Sequence, residues 1–126
     1  MGLNYFDDIC IVVAEDAPEL ERFAASELHR YLRVIFGLSV PIVSDDLISK
    51  SQCVLIGSPK TNRQITCDAG NDIWESVSDQ GIVLRGNSKE SKWTVGGGSP
   101  VATMWAVYEL LERLGVRFFL SGDVFP

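Results

Sequence analysis

The chain has one histidine, three cysteines, little basic charge and no long apolar stretch, and each shortage removes a class of function. With His29 alone, no two-histidine zinc site can form, and Glu27-Leu28-His29-Arg30-Tyr31 is not the H-E-x-x-H pattern of zinc hydrolases. A Ser/Cys–His nucleophile system would need a loop nucleophile facing His29, and nothing in the sequence places one there. Cys10, Cys53 and Cys67 cannot all pair, and no C-x-x-C or Cys/His spacing points to a metal. Cys10 and Cys53 lie in apolar, strand-like runs, where cysteine behaves as a small buried hydrophobe. The longest clean apolar run, over 9–14, is far too short to span a bilayer. Residues 1–4 have neither the charged start nor the apolar core of a signal peptide. That suits the cytoplasm, unless a leader has been removed, in which case the periplasm or secretion is favoured.

Net charge is −6, with acids and bases interspersed. Nucleic acid and acidic membrane surfaces need a concentrated basic face, so both are excluded as partners. The nearest basic cluster, His29, Arg30 and Arg33, falls near the end of a predicted helix, where cations suit the negative end of the helix dipole.

What is present is an ordinary globular composition of 126 residues, 46% of them hydrophobic, enough for one domain with its own core. The β-branched run over 9–14 reads as a buried strand. Asp16 and Glu19 have capping-box spacing, and Pro18 suits a first turn. Leu20, Phe23, Ala24, Leu28, Tyr31, Leu32 and Ile35 then recur at spacings of three and four, predicting a helix over 18–36 that ends at Gly37. Glu21 and Arg22 fall off that stripe. A strand over 38–43 is expected at a sheet edge because Pro41 lies within it. Residues 53–56 read as a buried strand, and 60–78 as a loop with one short helix.

Residues 80–85 and 92–95 read as an antiparallel hairpin joined by turn formers. Gly96-Gly97-Gly98-Ser99-Pro100 then opens a second helix, with Ser99 as N-cap. Its expected apolar face is Val101, Met104, Trp105, Tyr108, Leu111 and Leu114, with Gly115 as its stop and a strand over 116–120 to follow. This order predicts an α/β two-layer sandwich: a mixed sheet with two long helices on one face.

Few residues offer chemistry. The triple glycine lacks the third glycine of the dinucleotide pattern, since Val101 stands there, and lacks the Gly-Lys-Ser/Thr of a P-loop. A close-packed turn explains it, with a small anion site at Gly96 to Ser99 as the alternative. Asp7-Asp8, Glu15-Asp16 and Asp45-Asp46 are neighbours that point to opposite faces in extended chain, so caps and turns explain them better than a catalytic pair. No catalytic residue, metal site or cofactor is therefore assigned. Trp105 is expected in the core. Trp74, in the undecided loop, is the candidate exposed platform for a sugar ring, and Trp93 the second candidate.

The run "ELERFAASELHRYLRVIFGLSVPI" resembles the segment that opens the accessory N-terminal domain of bacterial α-glucuronidases. The matching features are the Ala24-Ala25-Ser26-Glu27-Leu28 helix, Tyr31-Leu32, the stop at Gly37 and the Pro41-Ile42 strand. The later part, from the hairpin through the glycine turn to Leu111-Glu112-Arg113-Leu114-Gly115-Val116-Arg117-Phe118-Phe119, resembles that domain's second half. It departs where family members often carry a second glycine and a Tyr-Gly pair; here Ala102 and Trp105-Ala106 stand instead. The same domain type precedes the barrel of β-N-acetylhexosaminidases.

The resemblance implies a zincin-like α/β fold without the zinc motif. It also implies that the catalytic acids lie in a following (β/α)8 barrel, about 250 residues long. Residues 1–126 are thus expected to be one non-catalytic accessory domain, cut before that barrel, with the barrel as its partner and a glycan as a second. Phe118, Phe119 and Phe125 are the expected docking residues. The rival reading is a stand-alone carbohydrate-binding module using an exposed tryptophan.

Overall fold

The computed structural model describes residues 9–46, 52–66, 74, 77–87 and 92–116. These form a mixed α/β fold with a five-stranded mixed sheet and three α-helices. The elements run β1 (Ile9–Val12), α1 (Glu19–Phe36), β2 (Ile42–Val43), β3 (Gln52–Ile56), α2 (Arg63–Thr66), β4 (Ile82–Asn87), β5 (Lys92–Gly97) and α3 (Pro100–Leu111). Strand order is β2-β1-β3-β5-β4. β1 is parallel to β2 and β3, β3 is parallel to β5, and β4 is antiparallel to β5.

Side chains alternate across the central strands and separate two cores. Ile11, Val13, Ile56 and Val95 face α1 and α3, whose Ala24, Ala25, Leu28, Ala106, Val107 and Leu111 complete the larger cluster. Cys10, Val12, Cys53 and Leu55 point the other way and are covered by Ile65 of α2 and by Trp74. Cys10 and Cys53 are in register on adjacent strands, both buried, with sulfurs 3.9 Å apart. They pack as the small hydrophobes expected of them.

α1 stops where expected: Gly37 has φ 70°, and its N–H donates to the Arg33 carbonyl. Its start differs. Pro18 is the N-cap and no side chain caps the helix, so Asp16 does not form the expected capping box. β2 is a true edge strand, shorter than the expected 38–43, and the Ile11 N–H donates to the Pro41 carbonyl at 2.8 Å. The hairpin is longer than expected because Gly96 and Gly97 remain in the ladder opposite Val83 and Ile82. The turn is left to Gly98 and Ser99.

Two helix faces are rotated from the expected ones. On α1, Glu21 is 2% exposed while Phe23 is 46% exposed. On α3 the buried residues are Ala102, Thr103, Ala106, Val107 and Leu111, and Trp105 is 46% exposed rather than in the core. The reason is distance. Alanines at the inner faces let α1 and α3 approach the sheet and each other closely, so the bulky side chains turn outward. The last helix also does not end at Gly115: Glu112–Val116 continue as a π-helical turn. The strand expected over 116–120 lies, apart from Val116 in that turn, outside the described residues.

Candidate functional site

In open parallel sheets, ligand crevices open at the carboxyl ends of strands where neighbouring connections leave toward opposite faces. The chain leaves β3 for the α2 face and leaves β5 for the α3 face. Between these departures lies a crevice of about 470 Å³, lined by Ser58, Pro59, Lys60, Trp74, Val77, Asp79, Gly97 and Gly98. Two sequence candidates, Trp74 and the glycine turn, therefore meet at one site although they come from different stretches of chain.

Each wall has a local cause. Ser58 to Thr61 form a turn in which the Asn62 N–H donates to the Ser58 carbonyl at 2.8 Å, and the Lys60 N–H donates to the Ser58 hydroxyl at 3.2 Å. Trp74 is half-buried because it also packs on the Cys10, Val12, Cys53, Leu55 and Ile65 cluster. The glycines are required by space. A Cβ on Gly96 would lie 1.6 Å from the Gly57 carbonyl oxygen, and one on Gly98 would lie 1.9 Å from that of Ser78. Lys60 and Asp79 are both exposed, and neither forms an ion pair with another described residue.

The glycine turn is not an open anion cradle. The Gly98 N–H donates to the Gly81 carbonyl at 3.0 Å, and the Thr103 N–H to the Ser99 carbonyl at 2.9 Å. The Ser99 hydroxyl accepts from the Ala102 N–H and donates to the Asp79 carbonyl at 2.7 Å. Pro100 has no N–H to give. The Gly98 N–H and the Ser99 hydroxyl, two of the donors at Gly96 to Ser99, are thus spent on closing the turn.

Behind the crevice lies a polar group that the sequence reading missed. Glu21, in the first turn of α1, sends Oε1 toward Gly57, whose φ is 127° and whose missing Cβ leaves that space. This oxygen has no hydrogen-bond partner among the described residues. Burial pushes the carboxyl above its ordinary pKa, and the nearby Thr61 hydroxyl pulls the other way. Beside it, Asn62 Nδ2 donates to the carbonyls of Val12 (3.1 Å) and Ile56 (2.9 Å), tying the ends of β1 and β3 together. A signal for Glu21 was present: with Ala24, Ala25 and Leu28 it completes an i, i+3, i+4, i+7 set.

Trp93 is placed apart from Trp74. It lines an apolar groove of about 360 Å³ on the long-helix face, with Leu28, Leu32, Leu84, Leu110 and Leu114. Its indole lies over Gly86 of β4, where a Cβ would be 2.7 Å away. The two candidate tryptophans thus serve opposite faces of the sheet. Phe118, Phe119 and Phe125 lie outside the described residues.

Of the remaining sequence candidates, His29 and the Asp45–Asp46 pair have structural roles, while Asp7, Asp8 and Cys67 lie outside the described residues. His29 is half-buried, with Nδ1 2.7 Å from the Val40 carbonyl, and holds the lead into β2. Asp45 accepts from the Arg63 N–H at 2.8 Å, and Asp46 pairs with the Arg63 guanidinium, so this acidic pair anchors α2. Among the described residues no group of three or more His, Cys, Asp or Glu could hold a metal ion, and no helix is long and apolar enough to cross a membrane. No protein-family model matches the chain, and no curated protein matches it in sequence.

Proposed function

We propose that this chain is the non-catalytic N-terminal domain of a carbohydrate-degrading glycoside hydrolase, α-glucuronidase-like, seated against the catalytic barrel of the same polypeptide. In this reading residues 1–126 form one two-layer, zincin-like domain without a metal, and the acids that cleave the glycosidic bond belong to the barrel. The observation that carries it is the apolar groove between the sheet and the ends of α1 and α3. Apolar surface left in water forgoes about 25 cal/mol per Å², and a groove of this kind suits a large apolar partner. Leu114 lines this groove from the turn that continues the last helix. Phe118, Phe119 and Phe125 would extend that contact. The resemblance in the helices and hairpin supports the same partner.

Leu114 is 44% exposed, so Leu114→Lys is expected to leave the melting temperature of residues 1–126 nearly unchanged and to lower that of the complete hydrolase. Equal behaviour of both proteins would contradict docking at this groove. A second reading, a stand-alone carbohydrate-binding module, is favoured by one observation: Trp74 walls a crevice open to solvent.

A further inference from the structure

We infer that the crevice at the carboxyl ends of β3 and β5 is a recognition site for one sugar ring, with Trp74 stacked on the ring's C–H face and Asp79, Lys60 and Ser58 taking its hydroxyls. This rests on the carbohydrate reading common to the hydrolase domain and the binding module, and it names the site and the ligand.

The size is suitable: about 470 Å³ falls within the range of about 300–1,000 Å³ typical of small-molecule sites. The chemistry narrows the choice. A pyranose presents an apolar face together with hydroxyls that both donate and accept. The crevice offers an aromatic wall, an acceptor-only carboxylate at Asp79, a donor-only ammonium at Lys60 and a hydroxyl at Ser58 that can do either. A purely apolar ligand would strip water from Lys60 and Asp79 without replacing it. Among the described lining residues a phosphorylated ligand would find one lysine and a turn whose Gly98 N–H and Ser99 hydroxyl are already engaged.

Preorganisation favours binding. Trp74 is held from behind by the Cys10, Val12, Cys53, Leu55 and Ile65 cluster, so little side-chain freedom remains to be lost on stacking. The glycine wall is held by its own hydrogen bonds, from Gly98 to Gly81 and from Ser99 to Asp79. That last bond ties the Asp79 backbone to the start of α3, which fixes the base of its carboxylate.

The test is a titration of the intact chain with D-glucose, D-xylose, N-acetylglucosamine and cellobiose, followed by amide and indole NMR shifts, with inorganic phosphate and glycine in parallel. Saturable shifts are expected at the Trp74 indole N–H and at the Gly97 and Gly98 amides with at least one sugar. Asp79 is exposed, so Asp79→Asn should keep the fold, and it is expected to weaken that sugar by about tenfold or more. Val34→Ala, exposed on α1 on the opposite face, should leave the affinity unchanged. The inference is overturned if no sugar moves these signals, if phosphate or glycine saturates the crevice and the sugars do not, or if Asp79→Asn binds as tightly as the parent. Such an outcome would leave the docking of a barrel at the apolar groove untouched, because that contact lies on the other face of the sheet.

Discussion

A carboxylate in the first turn of a helix gains from the helix dipole and loses from burial. At Glu21 burial is the larger effect, since its carboxyl is raised above the ordinary value. The folded protein then holds the Glu21 proton more tightly than the unfolded chain does. For an acid raised in this way, stability is greatest below the unfolded pKa, about 4.3 for glutamate, and is lost as pH rises from there through the folded pKa. Glu21→Gln removes that loss. In urea denaturation at a series of pH values, the variant is expected to gain on the parent progressively above about pH 4.3, and to show little advantage below it. A difference independent of pH would mean that Glu21 is ionised and satisfied in the fold. Gly96 tests the other feature of this region. Gly96→Ala would drive a methyl group into the Gly57 carbonyl, which is backbone and cannot turn aside, so a loss above about 3 kcal/mol is expected in the same denaturation assay. Little of this was legible in the sequence. Glu21 looks like a solvated charge until small alanines, rather than large side chains, are used to find the inner face, and the partner of Gly96 is a carbonyl on a distant loop.

Elements were easier to read than their contacts. β-branched runs and terminal signals located β1, α1, β3, the hairpin and the start of α3, because each is set by local preferences: Gly37 at a C-cap and Ser99 at an N-cap. The inner face of α3 was not legible, since Val101 and Trp105 dominate a hydrophobic pattern while Ala102 and Ala106 do the packing. Residues 60–78 gave little local signal, and their helix at Arg63–Thr66 owes its position to long-range bonds from Asp45 and Asp46. Asn62 is the clearest such case: it reaches Val12, fifty residues away in sequence, and Ile56. Asn62→Ala leaves both of those carbonyls without this donor at a buried junction, so a loss of about 2–4 kcal/mol is expected. Chemical denaturation would measure it, and hydrogen exchange should rise first at the ends of β1 and β3. A loss no larger than for an exposed substitution would show that the two strands do not depend on Asn62.

For the whole molecule, sheet order decides where function can sit. Two connections leaving on opposite faces open the Trp74 crevice, and two long helices on one face leave the apolar groove at their ends. The order of the expected elements suggested a mixed α/β domain. It could not show that Trp74 and the glycine turn share a crevice, because that follows from the parallel pairing of β3 with β5 across the hairpin. In the proposed assembly the groove faces a catalytic barrel, and the chain acts as the accessory part of a larger hydrolase. The size of the native polypeptide tests this most directly, by blotting source cells with an antibody raised against residues 1–126. A band larger by at least the size of a barrel, about 250 residues, is expected. A band at the size of this domain alone would contradict the assembly and leave the stand-alone carbohydrate-binding module as the better reading.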